Sequence, residues 1–537
     1  MGEAADLVIL GGTIEPIARP ASPSHDAVAI RDERIAAVGS SADLRELIGP
    51  STEVVELRGE TVLPGFQDAH IHPIEGGLLA DRCDLHALGD VGAYLEAIRA
   101  YAAAHPEREW IIGSGWSLTA FPGGEPDRAL LDRAVGRRPA ILESDDGHVA
   151  WVSTRALELA GIDAATPDPP DGRIVRDEGG HPTGTLHDGA TESIERLLPV
   201  PGHEERVRGL LAAQAELHAL GITAWQDAHV ESAALAAYRE AAEDGRLTAR
   251  VEAALWWGRA GGLEQIEWLE EARASAPVPG RLRAGSVKLM LDGILESRTA
   301  LMTAPYAGRE ELGTPFIEPN LLRQAVIELD RRGFSCHFHA VGDGAVRLAL
   351  DSVEAARTAN GRTEGRHHIA HIEVIHPDDV GRFAALDVTA NMQPLWAADD
   401  DQMRDLRSPV LGHERAAWQY PFASLARAGA RIAAGSDWTV SSADPLREIE
   451  VAVRRVAPET RDVAPFLPDE RLSLDQALAA FTIGSAYVNH LDADTGTIEV
   501  GKFADLVILD RDLRSTEAVF TGDARVLTTY IGGRRVT

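Results

Sequence analysis

Short runs of alternating apolar and polar residues mark both ends of the chain. Residues 5–60 contain several such runs, interrupted by Gly, Asp and Pro. Alternation with a period of two between turn residues is typical of β-strands. The run Asp6-Leu-Val-Ile-Leu10 is repeated almost unchanged as Asp505-Leu-Val-Ile-Leu509. We therefore expect residues 1–60 and 490–537 to build one composite β-domain.

Between the two ends, strand patterns alternate with helical ones. Apolar runs typical of strands begin near Thr61, Ile222, Arg250, Ser286, Phe334, His368, Val388 and Arg431. Helical periodicity covers residues 320–332, 343–359, 377–386 and 421–428. Strands that alternate with helices favour an α/β fold, and eight such strands predict a (β/α)₈ TIM barrel over residues 61–489.

The segment 80–200 interrupts this alternation after the first barrel strand. It is rich in Gly, Pro and Asp from Pro167 to Gly189. So long an excursion between neighbouring elements is usually a lid or a substrate-binding insertion. We expect residues 80–200 to form a large insertion within the barrel domain.

The charge balance narrows the choice of partners. The 537 residues include 84 acidic and 52 basic ones, for a formal net charge of −32. So acidic a surface repels nucleic acid and anionic membranes, and we expect neither as a partner. No apolar run approaches the roughly 18 residues that span a bilayer, and the N-terminus lacks the features of a signal peptide. The two cysteines fit a reducing compartment, so we expect a cytoplasmic protein.

Side chains that can bind metal stand where the predicted barrel strands end. The first strand ends in His70 and His72, and their spacing places both imidazoles on one side of a strand. The fourth, fifth, sixth and eighth strands add further candidates: Lys288, His339, His371 and Asp437. Since catalytic residues of such barrels lie at the C-terminal ends of the strands, these six side chains predict a metal site.

Each of these side chains also has an ordinary explanation. A lone histidine is more often a hydrogen-bonded polar residue, a lone aspartate often caps a helix, and Lys288 could extend to solvent from a strand edge. Together, however, the six are difficult to assign to chance. Imidazole and carboxylate ligands suit Zn²⁺, with Fe, Mn or Co as alternatives. Because a charged lysine is costly to bury, we also consider a Lys288 carboxylated on Nζ that bridges two metal ions.

The chain resembles the metal-dependent amidohydrolase superfamily, and within it the amidohydrolase-3 group, which includes N-substituted formamide deformylases. Motifs over nearly the whole chain carry this likeness: Leu63-Pro-Gly-Phe-Gln-Asp-Ala-His-Ile-His72, Pro182-Thr-Gly-Thr-Leu186, Val287-Lys-Leu-Met-Leu-Asp-Gly293, His339-Ala-Val-Gly-Asp343, Gly435-Ser-Asp-Trp438 and Gly501-Lys-Phe-Ala-Asp505. The resemblance implies a distorted barrel with a composite β-sandwich from both termini. It further implies two metals: one bound by His70, His72 and Asp437, the other by His339 and His371, with carboxylated Lys288 between them.

One position departs from the family pattern. Many relatives have Asp-Gly-Ser-Leu-Gly-Ser-Arg where this chain has Asp292-Gly-Ile-Leu-Glu-Ser-Arg298. We expect Glu296 to face the site entrance and to mark a subgroup. Further substrate contacts are expected from the insertion and from the loops after strands seven and eight: Trp116, His148, Trp151, Gln393, Trp396 and Trp438. The aromatic residues of the insertion could equally be structural.

These residues predict a hydrolase of non-peptide C–N bonds that acts on a small amide, N-acyl or N-formyl compound. Metal-activated hydroxide would attack the carbonyl, Asp437 would act as general acid and base, and His371 or His148 would stabilise the oxyanion. A deaminase, lactonase or decarboxylase would use the same metal centre. A metal-binding scaffold without turnover is the alternative outside enzymes. Besides a small-molecule substrate, a second copy in a homodimer is a possible partner.

Overall fold

The computed structural model describes residues 3–17, 25–79, 81–86, 88–515 and 520–537, so residue 80 and parts of the predicted terminal domain lie outside the described residues. Its strands are β1 Leu7–Ile14, β2 His25–Arg31, β3 Arg34–Gly39, β4 Glu53–Glu56, β5 Thr61–Pro64, β6 Phe66–Ile71, β7 Cys83–Asp84, β8 Ile111–Trp116, β9 Ala140–Ser144, β10 Val149–Val152, β11 Gly172–Arg176, β12 Pro182–Asp188, β13 Ile222–Val230, β14 Arg250–Trp256, β15 Leu282–Met290, β16 Ser335–Ala340, β17 His368–His371, β18 Thr389–Met392, β19 Arg431–Ala434, β20 Leu506–Leu509, β21 Val526–Ile531 and β22 Arg534–Arg535.

Helices connect most of these strands. Their bounds are α1 Ser41–Leu44, α2 Pro73–Leu79, α3 Val91–Ala104, α4 Arg128–Val135, α5 Thr154–Ala160, α6 Glu192–Glu195, α7 His203–Ala219, α8 Ser232–Glu243, α9 Gln265–Ser275, α10 Pro319–Arg331, α11 Asp343–Asn360, α12 Val380–Leu386, α13 Ser408–Ala416, α14 Phe422–Arg427, α15 Pro445–Arg454, α16 Leu474–Ala479 and α17 Ser485–Val488.

Strands β6 and β13 to β19 form the barrel, a parallel sheet of eight strands in the order β6-β13-β14-β15-β16-β17-β18-β19. Backbone hydrogen bonds next to the sheet's two edge strands almost close it: Asp437 N donates to His70 O at 2.8 Å, and His72 N donates to Trp438 O at 2.9 Å. Every residue of β16 is buried, because side chains fill the barrel and helices cover its outside. The mixed α/β fold predicted from the alternating pattern is therefore confirmed as a nearly closed parallel barrel.

Helix α10 shows how the sequence specifies the outer layer. The carboxylate of Glu318 accepts a hydrogen bond from Leu321 N at 2.8 Å, and Pro319 occupies the first turn, where a missing N–H costs nothing. Its buried apolar residues recur at helical spacing: Leu322, Ala325, Val326 and Leu329. This stripe packs against the barrel, which explains why the helix could be predicted almost to its ends.

The two chain ends form one branched sheet in the order β22-β21-β20-β5-β1-β2-β3, with β4 paired to β1. The two near-identical runs lie in β1 and β20. Strand β5, expected to open the barrel, instead pairs with β1 and β20 in this sheet. The chain enters the barrel at Gly65, where a Cβ would come within 2.4 Å of the Thr223 side chain. The boundary predicted at residue 60 therefore moves to residue 64, and the expected sandwich is one continuous sheet.

The insertion has a sheet and cores of its own. Its six strands follow the order β11-β12-β10-β9-β8-β7. One apolar cluster around Tyr94, Trp116 and Trp151 and another around Ile141 and Val152 pack within it. Within the described ranges, no helix combines the length and apolar character that crossing a membrane requires.

Candidate metal centre

Neighbouring barrel strands hold the candidate ligands at one mouth of the barrel. In the pairing of β15 with β16, Lys288 lies opposite His337, and His339 lies opposite Met290. His371 is the last residue of β17, and Asp437 follows β19 after a short link. Because parallel strands end at one edge of the sheet, these side chains converge there.

Five of the predicted metal ligands form one cluster. His70, His371 and Asp437 are buried and offer ligand atoms that all lie within 4.8 Å of one another. Asp437 Oδ1 lies 3.4 Å from His70 Nε2 and 3.0 Å from His72 Nε2, while Asp437 Oδ2 lies 3.9 Å from His371 Nδ1. Lys288 Nζ lies 3.1 Å from His70 Nε2.

His339 joins this cluster beside His371, with 4.3 Å between the two ring centroids. Its Nδ1 lies 3.4 Å from Asp292 Oδ1. The buried Asp292 carboxylate also accepts hydrogen bonds from the backbone N–H groups of Val341 and Gly342 at 3.0 and 2.9 Å. Asp292 therefore ties the loop after β16 to His339. Asp292 was not among the site residues predicted from the sequence, although its place directly after the strand of Lys288 was a usable signal.

The polar atoms of the cluster fit a metal ion. Among the described residues, neither ring nitrogen of His371, nor His339 Nδ1, nor Asp437 Oδ1 has a hydrogen-bond partner, although all are buried. Buried polar atoms are ordinarily satisfied. Imidazole nitrogens beside a carboxylate are the ligands that zinc and related ions use. One or two bound ions would satisfy these atoms together.

Protonation states at His70, His339, His371 and Asp437 also suit metal binding. Burial lowers the pKa of His371 to about 3, and it lowers the pKa values of His70 and His339 well below the usual range. Burial alone would raise the pKa of Asp437, but the close contact with His72 Nε2 and nearby positive charges lower it to about 2. Neutral imidazoles around an ionised carboxylate are the forms that bind a metal ion.

A buried chain of hydrogen bonds sets the tautomer of His70. His70 Nδ1 lies 2.9 Å from His337 Nε2, and His337 Nδ1 lies 2.5 Å from Gln226 Oε1. Because an amide oxygen only accepts, His337 donates from Nδ1 and accepts at Nε2, so His70 donates from Nδ1. Gln226 Nε2 in turn donates to Asn489 Oδ1 at 3.3 Å. His70 Nε2 therefore carries no proton, and its lone pair faces Asp437, as metal binding requires. His337 shares a strand face with His339, but sequence alone does not reveal this bond.

Two ligands stand on unusual backbone. His371 has a φ of 77° and Asp437 a φ of 54°, which few residues other than Gly adopt. Gln393 Oε1 accepts a hydrogen bond from His371 N at 2.7 Å, and Asp68 accepts one from Ser436 N at 3.1 Å. Gln393, expected to contact substrate, is instead buried behind His371 and holds its backbone, because its amide oxygen is already occupied there.

His148 comes from the insertion to the mouth of the barrel. Its ring centroid lies 5.6 Å from that of His339, and its Nδ1 lies 2.7 Å from Asp188 Oδ1. Burial lowers the pKa of His148, but the hydrogen bond and charge of Asp188 outweigh burial and raise it. The insertion thus supplies a hydrogen-bond donor beside the cluster.

His72 also belongs to a second group of possible ligands, with Glu75 and Asp227, whose atoms lie within 4.8 Å of one another. Asp227 Oδ2 is already bound by Tyr238 Oη at 2.7 Å. Burial, together with the charge of Glu75, raises the pKa of Asp227 to about 7. This second group therefore shares His72 with the cluster.

A cavity of about 210 Å³ opens above the cluster, between barrel and insertion. His148, His339, His371 and Asp437 line its floor, and Trp396 forms part of its wall. The carboxyl groups of Asp145, Asp146, Glu373 and Asp400 share the wall with apolar side chains. Burial, helped by the charges of Asp146 and Glu296, raises the pKa of Asp145 to about 8.

Arg407 is the cation of this wall. Its Nε forms an ion pair with Glu296 and lies 3.8 Å from Glu373 Oε2, and its Nη1 donates to Tyr420 Oη at 2.8 Å. Gln402 Nε2 also donates to Glu296 Oε1 at 2.7 Å. Glu296, expected at the site entrance, is only 1% exposed and lies behind the wall, because it pairs with Arg407.

Three of the four tryptophans expected to bind substrate lie away from the cavity wall. Trp116 and Trp151 are fully buried in the insertion's own core, where their Nε1 atoms donate to Leu142 O at 2.7 Å and Asp127 O at 3.1 Å. Both are structural, because each ring is enclosed and each N–H is satisfied. The Trp438 ring packs on helix α2, so that a Cβ on Gly76 would approach it to 2.4 Å. Trp438 therefore lies outside the cavity wall.

Comparisons with known proteins agree with this arrangement. Residues 53–537 match the Amidohydrolase family model Amidohydro_3, and residues 27–47 match an imidazolonepropionase-like composite domain of bacteria. Protein LONG AFTER FAR-RED 3 from Arabidopsis thaliana is 32% identical, over 100% of this chain and 92% of its own. N-substituted formamide deformylase from Arthrobacter pascens is 27% identical, over 99% and 98%.

A solved structure has a similar fold. An uncharacterized metal-dependent hydrolase from Pyrococcus furiosus superposes with a TM-score of 0.72 at 28% identity, over 94% of this chain and 99% of its own. The family match spans most of the chain and includes every ligand of the cluster. This chain therefore belongs to the amidohydrolase-3 group of the Amidohydrolase family, and it is a metal-dependent amidohydrolase, a hydrolase of carbon–nitrogen bonds.

Proposed function

We propose that this enzyme hydrolyses the amide-type C–N bond of a small N-formyl or N-acyl compound with Zn²⁺ as its metal. One observation carries the proposal: His70, His371 and Asp437 converge within 4.8 Å beneath a cavity of small-molecule size. The similarity to an N-substituted formamide deformylase over almost the full length supports the N-formyl class.

The residues that would hold zinc are His70, His72, Asp437, His339 and His371. Zinc bound there lowers the pKa of bound water from about 15.7 toward about 7 and polarises a carbonyl oxygen. Four of these residues face one another across the strand ends, and Lys288 lies beside His70. The cavity above them gives a substrate carbonyl access to the same atoms.

Asp437 is the proton carrier of the reaction. Its Oδ1 faces the cavity floor and has no hydrogen-bond donor among the described residues. Because its pKa is held at about 2, Asp437 is ionised at neutral pH and accepts the proton of the attacking water. It then delivers that proton to the nitrogen of the leaving amine. The low pKa makes this return favourable.

His148, or alternatively His371, would stabilise the oxyanion that forms on the substrate carbonyl. Asp188 raises the pKa of His148, which favours the protonated imidazole that donates hydrogen bonds. His148 also lines the same cavity. Charge-assisted donors aimed at a developing oxyanion stabilise it more than they stabilise the neutral carbonyl. The insertion therefore completes the site rather than only covering it.

Lys288 would carry a carboxylate on Nζ. Burial lowers its pKa to about 7, so that a large share of the amine is neutral at physiological pH. A neutral amine attacks carbon dioxide, forms an N–C bond and releases a proton. The product has two oxygens within reach of His70, where a charged lysine would be costly.

Elemental analysis of the purified protein, paired with intact mass under gentle conditions, tests the proposal. We expect zinc in the protein and, if Lys288 is modified, the added mass of one carbon dioxide. The same preparation should release formate or acetate from N-formyl and N-acetyl amines. A protein that binds no metal after reconstitution would refute the proposed site. One that binds metal but deaminates heterocycles would refute the amide substrate alone.

A further inference from the structure

The wall of the cavity carries more carboxyl groups than its one guanidinium can pair with. Asp145, Asp146, Glu373 and Asp400 line it together with the metal cluster, and Arg407 is the one Lys or Arg among the described lining residues. Arg407 is already paired with Glu296, a fifth carboxylate just behind the wall. A ligand in this cavity therefore meets several carboxylates with no cation of their own.

Among the wall carboxylates, Glu373 gives the clearest evidence of a missing partner. Its side chain is 2% exposed, it lines the cavity, and its Oε2 has no hydrogen-bond donor among the described residues. The nearest cation, Arg407 Nε, lies 3.8 Å away, beyond hydrogen-bond distance. Leaving a buried carboxylate oxygen without a hydrogen-bond donor costs free energy, so we expect a ligand to supply that donor.

The insertion presents matching acceptors from the other side of the cavity. Asp145 Oδ1 and Asp146 Oδ2 are buried and also lack a donor within the described part of the chain. Asp146 is held in place by its other oxygen, which accepts hydrogen bonds from Ser144 Oγ at 2.5 Å and His148 N at 3.0 Å. Barrel and insertion thus both offer carboxylate oxygens to the same space.

An aromatic face completes the arrangement. Trp396 lines the cavity, and the indole face is attractive to a cation because of its negative quadrupole. The guanidinium carbon of Arg407 already lies 6.0 Å from its ring centroid. Carboxylates beside an indole are a combination that recognises protonated amines.

We infer that the substrate carries a cationic nitrogen, such as a primary ammonium, in addition to its scissile amide. This inference rests on the proposed hydrolase function. Glu373 and Asp145 would bind the cation while the amide carbonyl lies over the metal ligands. A neutral alkyl group in their place would leave Glu373 Oε2 and Asp145 Oδ1 without a hydrogen-bond donor.

Two substrates of equal length test the inference. N-formyl-1,4-diaminobutane carries an ammonium where N-formylpentylamine carries a methyl group. We expect kcat/KM to favour the cationic compound by about ten- to a hundredfold, the range for a hydrogen bond to a charged group. Glu373→Gln should reduce that preference toward unity while metal content stays the same. The matched control Glu364→Gln, on an exposed residue, should leave the preference intact.

A binding measurement separates failure of this inference from failure of the proposed function. Calorimetry with 1,5-diaminopentane should show binding to the metal-loaded enzyme, weakened about tenfold or more by Glu373→Gln or, as a second variant, by Asp145→Asn. If the diamine does not bind while a formamide is hydrolysed, or if the neutral formamide is hydrolysed at least as well as the cationic one, the inference is overturned although amide hydrolysis stands. If the diamine binds but neither formamide is hydrolysed, the N-formyl substrate is wrong and the cation site stands.

Discussion

The indole of Trp396 lies almost parallel to the imidazole of His371, with ring centroids 5.4 Å apart and 13° between the planes. One face of a candidate metal ligand is thus covered by a residue of the cavity wall. Trp396 is therefore the one tryptophan of the four singled out in the sequence that touches both a ligand and the cavity.

Replacing Trp396 should affect substrate use, whereas replacing Trp116 should affect stability. Trp396→Leu removes an aromatic wall from the cavity, so we expect kcat/KM to fall about tenfold or more, with a small change in Tm. Trp116→Leu loses a buried ring and its hydrogen bond to Leu142 O, which should lower Tm and cost at most the about 3–5 kcal/mol of a full Trp→Ala truncation. Steady-state kinetics and thermal unfolding of both variants distinguish these roles. Equal loss of activity at unchanged Tm in Trp116→Leu would contradict the assignment.

His337 should control metal affinity without contacting the metal. His337→Phe keeps the ring volume but removes the acceptor that fixes the His70 tautomer, so we expect zinc affinity to fall about 10- to 100-fold. Competition with a chromogenic chelator measures this change. His413→Phe, on an exposed residue far from the cluster, serves as the control. Unchanged affinity in His337→Phe would show that the hydrogen-bond chain does not orient His70.

Loss of the Asp437 carboxylate should abolish turnover beyond any effect on metal binding. Asp437→Asn keeps the side-chain shape but can no longer accept the proton of the attacking water, so we expect kcat at saturating zinc to fall about 10²–10⁴-fold. Metal content measured on the assayed sample separates this loss from loss of the ion. Asp462→Asn, an exposed aspartate, should retain full activity. Activity of the zinc-loaded Asp437→Asn near that of the wild type would exclude Asp437 as the proton carrier.

The places of the metal ligands could be predicted because they follow from short patterns. His70 and His72 stand two residues apart at the end of an apolar run, and the strands that end in His371 and Asp437 have the same apolar character. Parallel barrels bring such ends together whatever the loops between them do. The local sequence pattern and the barrel topology therefore predict the same location for these side chains.

Other positions depend on contacts distant in sequence. Trp116 and Trp151 looked like cavity residues, but which face of an insertion strand is enclosed depends on how α3, α4 and its other strands pack. Glu296 turned away from the entrance because Arg407, more than a hundred residues later, pairs with it. Strand β5 pairs with β20 from the other end of the chain, so its place in the terminal sheet was not visible locally.

Acidification should destabilise the protein partly through His490. Burial, with the charges of Arg283 and Arg366, lowers the pKa of His490 to about 3, against about 6.5 in the unfolded chain. Between these pH values only the unfolded state binds the proton. His490 therefore leaves the free energy of unfolding unchanged above about pH 6.5 and lowers it by up to about 1.4 kcal/mol for each pH unit below that. His490→Asn removes this group, and Asn tolerates the φ of 57° at this position. We expect the drop in Tm from pH 7 to pH 5 to be smaller in His490→Asn than in the wild type or in the exposed control His413→Asn. Parallel pH profiles for all three proteins would show that His490 does not titrate between the folded and unfolded states.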